Sequence, residues 1–229
     1  MRVSKLAVIA VASVIAVYIR AIFFTPADVL QGVVQKILYV HAPSAWVAFL
    51  AFGLVAITSA LYLWLRDPKL DYIAASSAEV GLVFTSVVLV TGPLWAKPVW
   101  GAYWTWDARL TFTLVLWFVY VGYLILRDAL DDRDMRARYS AVLGIIGAAL
   151  VPFIHLSVYM FRTMHPMPVL LKPSAPSMPP VMTVTLVSSF VAFTLLYAWL
   201  LRERYQLELE REAVAQREMT RSVNAESLA

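Results

Sequence analysis

Residues 44–65 read SAWVAFLAFGLVAITSALYLWL and contain no charged side chain. A helix needs about 20 mostly apolar residues to cross the hydrocarbon core of a bilayer, so this stretch predicts a transmembrane helix. Other runs of the chain share this character, and the six predicted spans are 6–24, 44–65, 72–95, 110–126, 139–161 and 181–201. The sequence therefore predicts an all-α integral membrane protein with six transmembrane helices. We expect one membrane domain over residues 1–201 and a charged tail over residues 202–229.

The first run also has features of a signal peptide, because Arg2 and Lys5 precede its apolar residues. A signal peptide ends at a cleavage site with small residues. This run instead continues past Arg20 into further apolar residues, with no small-x-small site at its end. We therefore expect an uncleaved transmembrane helix.

The composition of the whole chain agrees with a membrane protein. Of its 229 residues, 61% are hydrophobic and 15% are charged, against about 45–50% and about 25% in soluble domains. Cysteine is absent, which excludes disulfides, thiolate metal sites, Fe–S clusters and the C-x-x-C-H motif of c-type cytochromes. The net charge of +4 is compatible with nucleic-acid binding, but the basic residues are spread among the segments between apolar runs. We therefore expect the lipid bilayer as a partner and no nucleic acid.

The distribution of basic residues predicts how the protein is oriented. Six spans bring both termini to one side, and thirteen of the 19 lysines and arginines lie on that side. The positive-inside rule assigns this side to the cytoplasm, so the tryptophan-rich segment described below faces the periplasm. Glu79 lies inside the third run, close enough to its inner end to snorkel to the cytoplasmic surface, and no role is assigned to it. The charged tail is expected to be a solvated end of the sixth helix.

The first outer segment, Asp28 to Ala42, is amphipathic. Its apolar residues recur at helical spacing, and His41 continues the apolar stripe formed by Val34 and Ile37. This pattern predicts a helix lying on the outer membrane surface. Pro43 is expected to end that helix and to begin the second span. His41 is either a ligand-binding residue or a packed interfacial histidine.

The second outer segment, residues 95–109, reads WAKPVWGAYWTWDAR and contains four of the chain's eight tryptophans. Tryptophan collects at membrane interfaces, so an aromatic belt is one interpretation. An ordinary belt spreads its rings over many helix ends, whereas here four indoles lie close together between Lys97 and Arg109. The segment therefore predicts a flat, apolar and partly cationic platform. Asp107 is also well suited to be the N-cap of the fourth span.

The third outer segment, residues 161–180, contains six of the twelve prolines and cannot be a regular helix throughout. His165 lies near its start. His155 lies within the fifth predicted span and near its outer end, where a histidine is either functional or hydrogen-bonded between packed helices.

The topology brings all three histidines and the tryptophan cluster to one face of the membrane. This combination is suited to binding haem. The macrocycle of haem is flat and apolar, its iron binds imidazole nitrogen and its propionates bind cationic side chains. A quinone would use the aromatic rings without a pair of histidines. A sugar would require more carboxylates.

Residues 100–107, WGAYWTWD, match the motif W-G-x-x-W-x-W-D of a family of haem-handling membrane proteins. The similarity continues through TGPLWAKP at residues 91–98 and ARLT at residues 108–111. YVHAPSAW at residues 39–46 is similar to the family's first histidine motif. TMHP at residues 163–166 is similar to the second, which usually reads TLHQ. In these motifs and in its six predicted spans, the chain resembles the CcmC family of the cytochrome c maturation system.

The resemblance implies that the protein presents haem b to the haem chaperone CcmE at the periplasmic face of the inner membrane. It also implies CcmD and the ABC-transporter subunits CcmA and CcmB as partners, and His41 and His165 as axial ligands of the haem iron. The remaining residues expected to bind haem are Trp95, Lys97, Trp100, Tyr103, Trp104, Trp106, Asp107 and Arg109. The implied protein delivers haem and has no catalytic residue. A membrane haem lyase and a structural subunit without haem are the alternatives.

Overall fold

The computed structural model describes residues 4–170, 172 and 174–226, and this part of the chain is helical with no β-strand. Six helical segments are long and apolar enough to cross a membrane, which confirms the predicted fold class. The helices are α1 (Lys5–Ile19), α2 (Leu38–Leu65), α3 (Pro68–Trp100), α4 (Ala108–Ala129), α5 (Arg133–Ala148), α6 (Leu150–Met160) and α7 (Pro180–Glu226). A π-helical turn, Arg20–Phe24, extends α1, and α5 and α6 together form the fifth span.

The segment before α2 is less regular than the amphipathic helix predicted over residues 28–42. Asp28 Oδ1 accepts hydrogen bonds from the backbone N–H groups of Leu30 at 2.9 Å and Gln31 at 2.8 Å. These bonds close a turn that ends at Gly32, whose φ of +60° favours glycine. Helical structure begins with the 3₁₀ turn Val33–Ile37 and runs directly into α2.

Pro43 does not end a helix, and this corrects the prediction. It lies inside α2, five residues after the helix begins at Leu38. A proline inside a helix removes one backbone hydrogen bond. Tyr39 and Val47 on either side of it are fully buried, so tertiary packing holds both parts of the helix in line. His41 therefore belongs to the first turns of a transmembrane helix and not to a separate surface helix.

The centre of the bundle is built around α2, which packs against α3, α5 and α7. The rings of Phe52 and Tyr120 stack with their centroids 3.8 Å apart. Gly144 of α5 lies so close to α2 that an added Cβ would stand 2.8 Å from a methyl carbon of Val55. Small residues allow such close approach of membrane helices, where packing rather than hydrophobic transfer drives association.

Ion pairs join the helices at the end remote from the tryptophan-rich segment. Arg127 forms two hydrogen bonds with Asp71, at 2.6 Å and 2.9 Å. Glu79 of α3 forms an ion pair with Arg204 of α7, with 2.5 Å between Glu79 Oε1 and Arg204 Nη2. Because α7 continues without a break across residue 201 to Glu226, the division between domain and tail stays a prediction.

Candidate functional site

A cavity of about 500 Å³ opens at the end of the bundle that carries the tryptophan-rich segment. Its walls come from α2, α3, α4, α6 and α7, from the segment before α2, from the segment between α3 and α4 and from the loop that follows α6. Apolar side chains such as Phe49, Leu89 and Phe190 line its inner part. The indole, imidazole and guanidinium groups on its wall are Trp46, Trp95, Trp100, Trp104, His41, His155, His165 and Arg109.

His41 is held against α3. Its Nδ1 lies 2.9 Å from the hydroxyl oxygen of Thr91, and its ring meets the ring of Trp95 edge-on at a centroid distance of 5.9 Å. Gly92 leaves room for the imidazole, because a Cβ at this position would stand 3.3 Å from His41 Cε1. Successive residues of α3 therefore determine how the imidazole is oriented at the cavity wall.

His165 lies in the loop after α6, with its ring 6.4 Å from that of Trp100. Burial and the nearby guanidinium of Arg109 lower the pKa of His165 to about 4, so the imidazole is neutral at pH 7. Its Nδ1 lies 3.1 Å from Arg109 Nη1 and 3.0 Å from the carbonyl oxygen of Pro166. Guanidinium only donates and a carbonyl only accepts, so Nδ1 cannot satisfy both neighbours in one tautomer.

Arg109 ties the start of α4 to the outer part of α6. Its Nε donates to the carbonyl oxygen of Ile154 at 3.2 Å, and its Nη2 donates to that of His155 at 3.1 Å. The third contact is the one with His165. Arg109 thus places a positive charge in the cavity wall and connects elements that are distant in sequence.

Asp107 begins α4 and also supports the loop of His165. Its Oδ1 accepts from the N–H of Leu110 at 3.1 Å, which confirms its suitability as an N-cap. Its Oδ2 accepts from the hydroxyl of Thr163 at 2.8 Å. The same hydroxyl oxygen accepts from the backbone N–H of His165 at 3.0 Å. Asp107 therefore acts on His165 through Thr163.

The structure divides the tryptophan-rich segment into residues that line the cavity and residues that do not. Helix α3 ends at Trp100, and Trp95, Trp100 and Trp104 line the cavity. The indole Nε1 of Trp104 is buried, and no acceptor for it is found among the residues described. Trp106 has a φ of +56° and is 72% exposed, and Tyr103 is 57% exposed.

Lys97 lies outside the cavity wall. Its Nζ donates to the carbonyl oxygen of Gly101 at 2.9 Å and lies 5.3 Å from the centroid of the Tyr103 ring. The predicted residues that the cavity brings together are therefore His41, His165, Trp95, Trp100, Trp104 and Arg109.

Several residues at the cavity were not part of the predicted site. Trp95 Nε1 donates to Gln31 Oε1 at 2.8 Å, and both side chains line the cavity together with His155. Thr91 precedes Trp95 by four residues and therefore shares its helix face. This spacing is the local signal that associates Thr91 with Trp95; Thr91 contacts His41 and is not itself among the residues that line the cavity. Gln31, by contrast, meets Trp95 only through the tertiary fold.

Comparisons with known proteins identify the family to which the chain belongs. The family model described as "Heme exporter protein C" matches residues 1–221. The relative of that name from Haemophilus influenzae is 39% identical over 189 residues, which cover 82% of this chain and 77% of the relative. The relative from Bradyrhizobium diazoefficiens is 37% identical over 194 residues, covering 85% and 74%. The relative from Paracoccus denitrificans is 32% identical over 194 residues, covering 84% and 80%. The chain is therefore a multi-pass membrane protein that belongs to the CcmC family, the family of heme exporter protein C.

Proposed function

We propose that the protein binds haem b in this cavity and delivers it to the haem chaperone CcmE during cytochrome c maturation. The observation that carries the proposal is that His41 and His165, from distant parts of the chain, line one cavity with three tryptophans of the segment 95–109. The relatives named above are haem exporters by description, which supports haem as the ligand.

The chemistry of the cavity suits haem. Its volume of about 500 Å³ falls within the range of about 300–1,000 Å³ that is usual for ligand sites. Neutral imidazoles supply nitrogen ligands to iron. The indoles of Trp95, Trp100 and Trp104 supply flat apolar contact area for the macrocycle. We assign the two axial positions to His41 and His165.

The propionates require donors, and Arg109 and Trp104 in the cavity wall can supply them. Arg109 supplies a charged guanidinium, and the buried N–H of Trp104 can donate to a carboxylate. When a propionate draws Arg109 away, His165 Nδ1 is free to donate to the carbonyl oxygen of Pro166. Nε2 of His165 would then be unprotonated and available as a ligand to the iron. Propionate binding and iron ligation by His165 therefore support each other.

Delivery requires a surface that meets the chaperone. Trp106 and Tyr103 are exposed beside the cavity. Asp107 and Arg162 line a shallow concavity next to Trp106. We propose that these four residues face CcmE, while CcmD and the transporter subunits CcmA and CcmB assemble with the membrane helices. Lys97, which contacts Tyr103, supports this same surface.

The orientation belongs to the proposal too. We place the protein in the inner membrane with both termini in the cytoplasm and the cavity toward the periplasm. Topology reporters fused after Arg133 are expected to report the cytoplasm, and reporters within residues 166–180 the periplasm. The reverse result would remove delivery to a periplasmic chaperone.

The proposal is tested by purifying the protein with co-expressed haem synthesis and measuring the Soret band. We expect His41→Ala and His165→Ala each to lose most of the bound haem and to abolish haem transfer to CcmE. His155→Ala, which also lines the cavity, is expected to have a smaller effect. Normal haem content or normal haem transfer in either of the first two variants would overturn the assignment of that histidine as a ligand.

A second measurement separates delivery from the attachment of haem to apocytochrome. Deleting the gene is expected to leave CcmE without haem. If CcmE were loaded normally and apocytochrome accumulated, the protein would act at attachment. A wild-type protein without a Soret band under haem-replete expression would indicate a structural subunit.

A further inference from the structure

The contact between Thr91 and His41 determines which nitrogen of the imidazole carries a proton. Thr91 lies on α3 and His41 on α2, fifty positions apart, and their side chains meet at 2.9 Å. The hydroxyl oxygen of Thr91 also lies 2.7 Å from the carbonyl oxygen of Val87, one turn earlier on α3. His41 Nδ1, Thr91 Oγ1 and the carbonyl oxygen of Val87 are therefore linked in a row, and the position of the hydroxyl proton decides which of them donates.

The hydroxyl proton lies between Thr91 and Val87. Two oxygen atoms at 2.7 Å repel each other unless a proton lies between them, and a carbonyl has none to give. Threonine in a helix commonly donates to the carbonyl four residues earlier. Since a hydroxyl has one proton and two lone pairs, Thr91 meets His41 with a lone pair.

It follows that His41 Nδ1 carries the proton and donates it to Thr91. In a neutral imidazole the other nitrogen, Nε2, is then unprotonated and holds a free lone pair. The ring is also kept in place by Gly92 and by the edge of Trp95. His41 therefore presents a lone pair at Nε2 before any ligand arrives.

His165 differs in this respect. Its Nδ1 lies between Arg109, which can only donate, and the carbonyl oxygen of Pro166, which can only accept, so these two contacts favour opposite tautomers. The hydrogen bonds therefore fix the tautomer of His41 but not that of His165.

We infer that Thr91 is a positioning residue, which keeps His41 in the tautomer with Nε2 free for the haem iron and so makes His41 the persistent ligand. The inference rests on the proposed haem site. When a histidine binds a metal, a hydrogen bond donated by its other ring nitrogen fixes the ring and makes the imidazole more basic. Loss of that hydrogen bond typically lowers the metal affinity about 10–100-fold. A more basic imidazole also favours ferric over ferrous haem.

The variants are Thr91→Val, which keeps the shape and removes the hydroxyl, and Thr91→Ser, which keeps the hydroxyl. Thr58→Val is the matched control, because Thr58 donates to the carbonyl oxygen of Leu54 at 2.8 Å on α2 and does not line the cavity. We expect Thr91→Val to weaken haem binding about 10–100-fold in a titration of purified protein and to raise the reduction potential of bound haem. Thr91→Ser and Thr58→Val are expected to remain close to wild type.

A direct measurement needs no Thr91 variant. In the wild-type protein with ¹⁵N-labelled histidine, NMR is expected to show His41 protonated at Nδ1, with the signal assigned by its loss in His41→Gln. Protonation at Nε2 instead would overturn the inference, whether or not Thr91→Val folds.

The outcomes separate this inference from the proposed function. If His41→Ala retains haem, the assignment of His41 as a ligand fails. If His41→Ala loses haem while Thr91→Val binds it with unchanged affinity and potential, only the role of Thr91 fails.

Discussion

Asp107 connects the start of α4 with the loop of His165, and replacing it tests how the site is supported. One carboxylate oxygen caps α4 and the other accepts from Thr163, whose hydroxyl in turn accepts the backbone N–H of His165. Asp107→Ala removes both bonds. We expect it to lower the free energy of unfolding and to weaken haem binding.

Loss of the cap is expected to lower the free energy of unfolding, whereas loss of the bond to Thr163 is expected to weaken haem binding through His165. Removing an aspartate N-cap costs about 0.5–2 kcal/mol of stability. Removing the hydrogen bond to Thr163 costs about 0.5–1.5 kcal/mol. If that second amount were lost entirely from haem binding through His165, the dissociation constant would rise roughly two- to twelvefold, because about 1.4 kcal/mol corresponds to tenfold.

A matched control separates the cap from the support of His165. Asp132 caps α5 through a hydrogen bond from the N–H of Met135 at 2.7 Å, at the end of the bundle remote from the cavity. Asp107→Ala and Asp132→Ala are expected to lower the melting temperature by similar amounts, and only Asp107→Ala to weaken haem binding in a Soret titration. Asp107→Asn keeps an effective cap but loses the oxygen that accepts from Thr163, so it is expected to weaken haem binding at nearly unchanged stability.

Two results would refute this reasoning. Equal haem affinity in Asp107→Ala and Asp132→Ala would make Asp107 a helix cap without influence on His165. Haem that stays bound with wild-type affinity in Asp107→Ala but is not passed to CcmE would assign Asp107 to the chaperone-facing surface alone.

Three further predictions follow from the cavity and the helix packing. Burial and the neighbouring guanidinium lower the pKa of His165 to about 4. Haem affinity, measured as a function of pH, is therefore expected to stay constant from pH 8 to pH 5 and to fall near pH 4. A fall centred near about 6.5, the ordinary pKa of histidine, would contradict this prediction. The folded state takes up its proton at His165 only near pH 4, so the contribution of His165 to stability is present above about 6.5 and is lost as pH falls toward 4. Trp104→Ala is expected to weaken haem binding and Trp104→Phe to be mild, while Trp64→Ala, at an 80% exposed position at the other end of α2, should bind as wild type in the same titration. Gly144→Ala is expected to cost about 1–3 kcal/mol in thermal unfolding, since its Cβ would stand 2.8 Å from a valine methyl carbon. Gly122→Ala, where no atom lies within 4 Å of the new Cβ, should not destabilise, and an equal loss in both would exclude overpacking.

The membrane helices and the N-cap of α4 were predictable because they depend on local sequence. An apolar run such as residues 44–65 is more stable in the bilayer than in water, and in a helix its backbone N–H and C=O groups are hydrogen-bonded within the run itself. Composition and length therefore suffice to identify it as a membrane span. Asp107 was recognised as an N-cap for the same reason, since the bond to Leu110 spans three residues. The haem hypothesis came from the residue types that the six spans bring to one face, and the match of residues 100–107 to a family motif made it specific.

The tertiary structure alone decided which side chains meet. Pro43 would end an isolated helix, yet buried residues on both sides keep α2 continuous through it. The segment 95–109 contains four tryptophans, but only the packing of α3 and α4 separates Trp104 in the cavity wall from exposed Trp106. The hydrogen bond from His41 to Thr91 joins residues fifty positions apart. Periodicity describes neighbours within one helix, whereas such a contact depends on the positions of two helices, which the packing of the whole bundle determines.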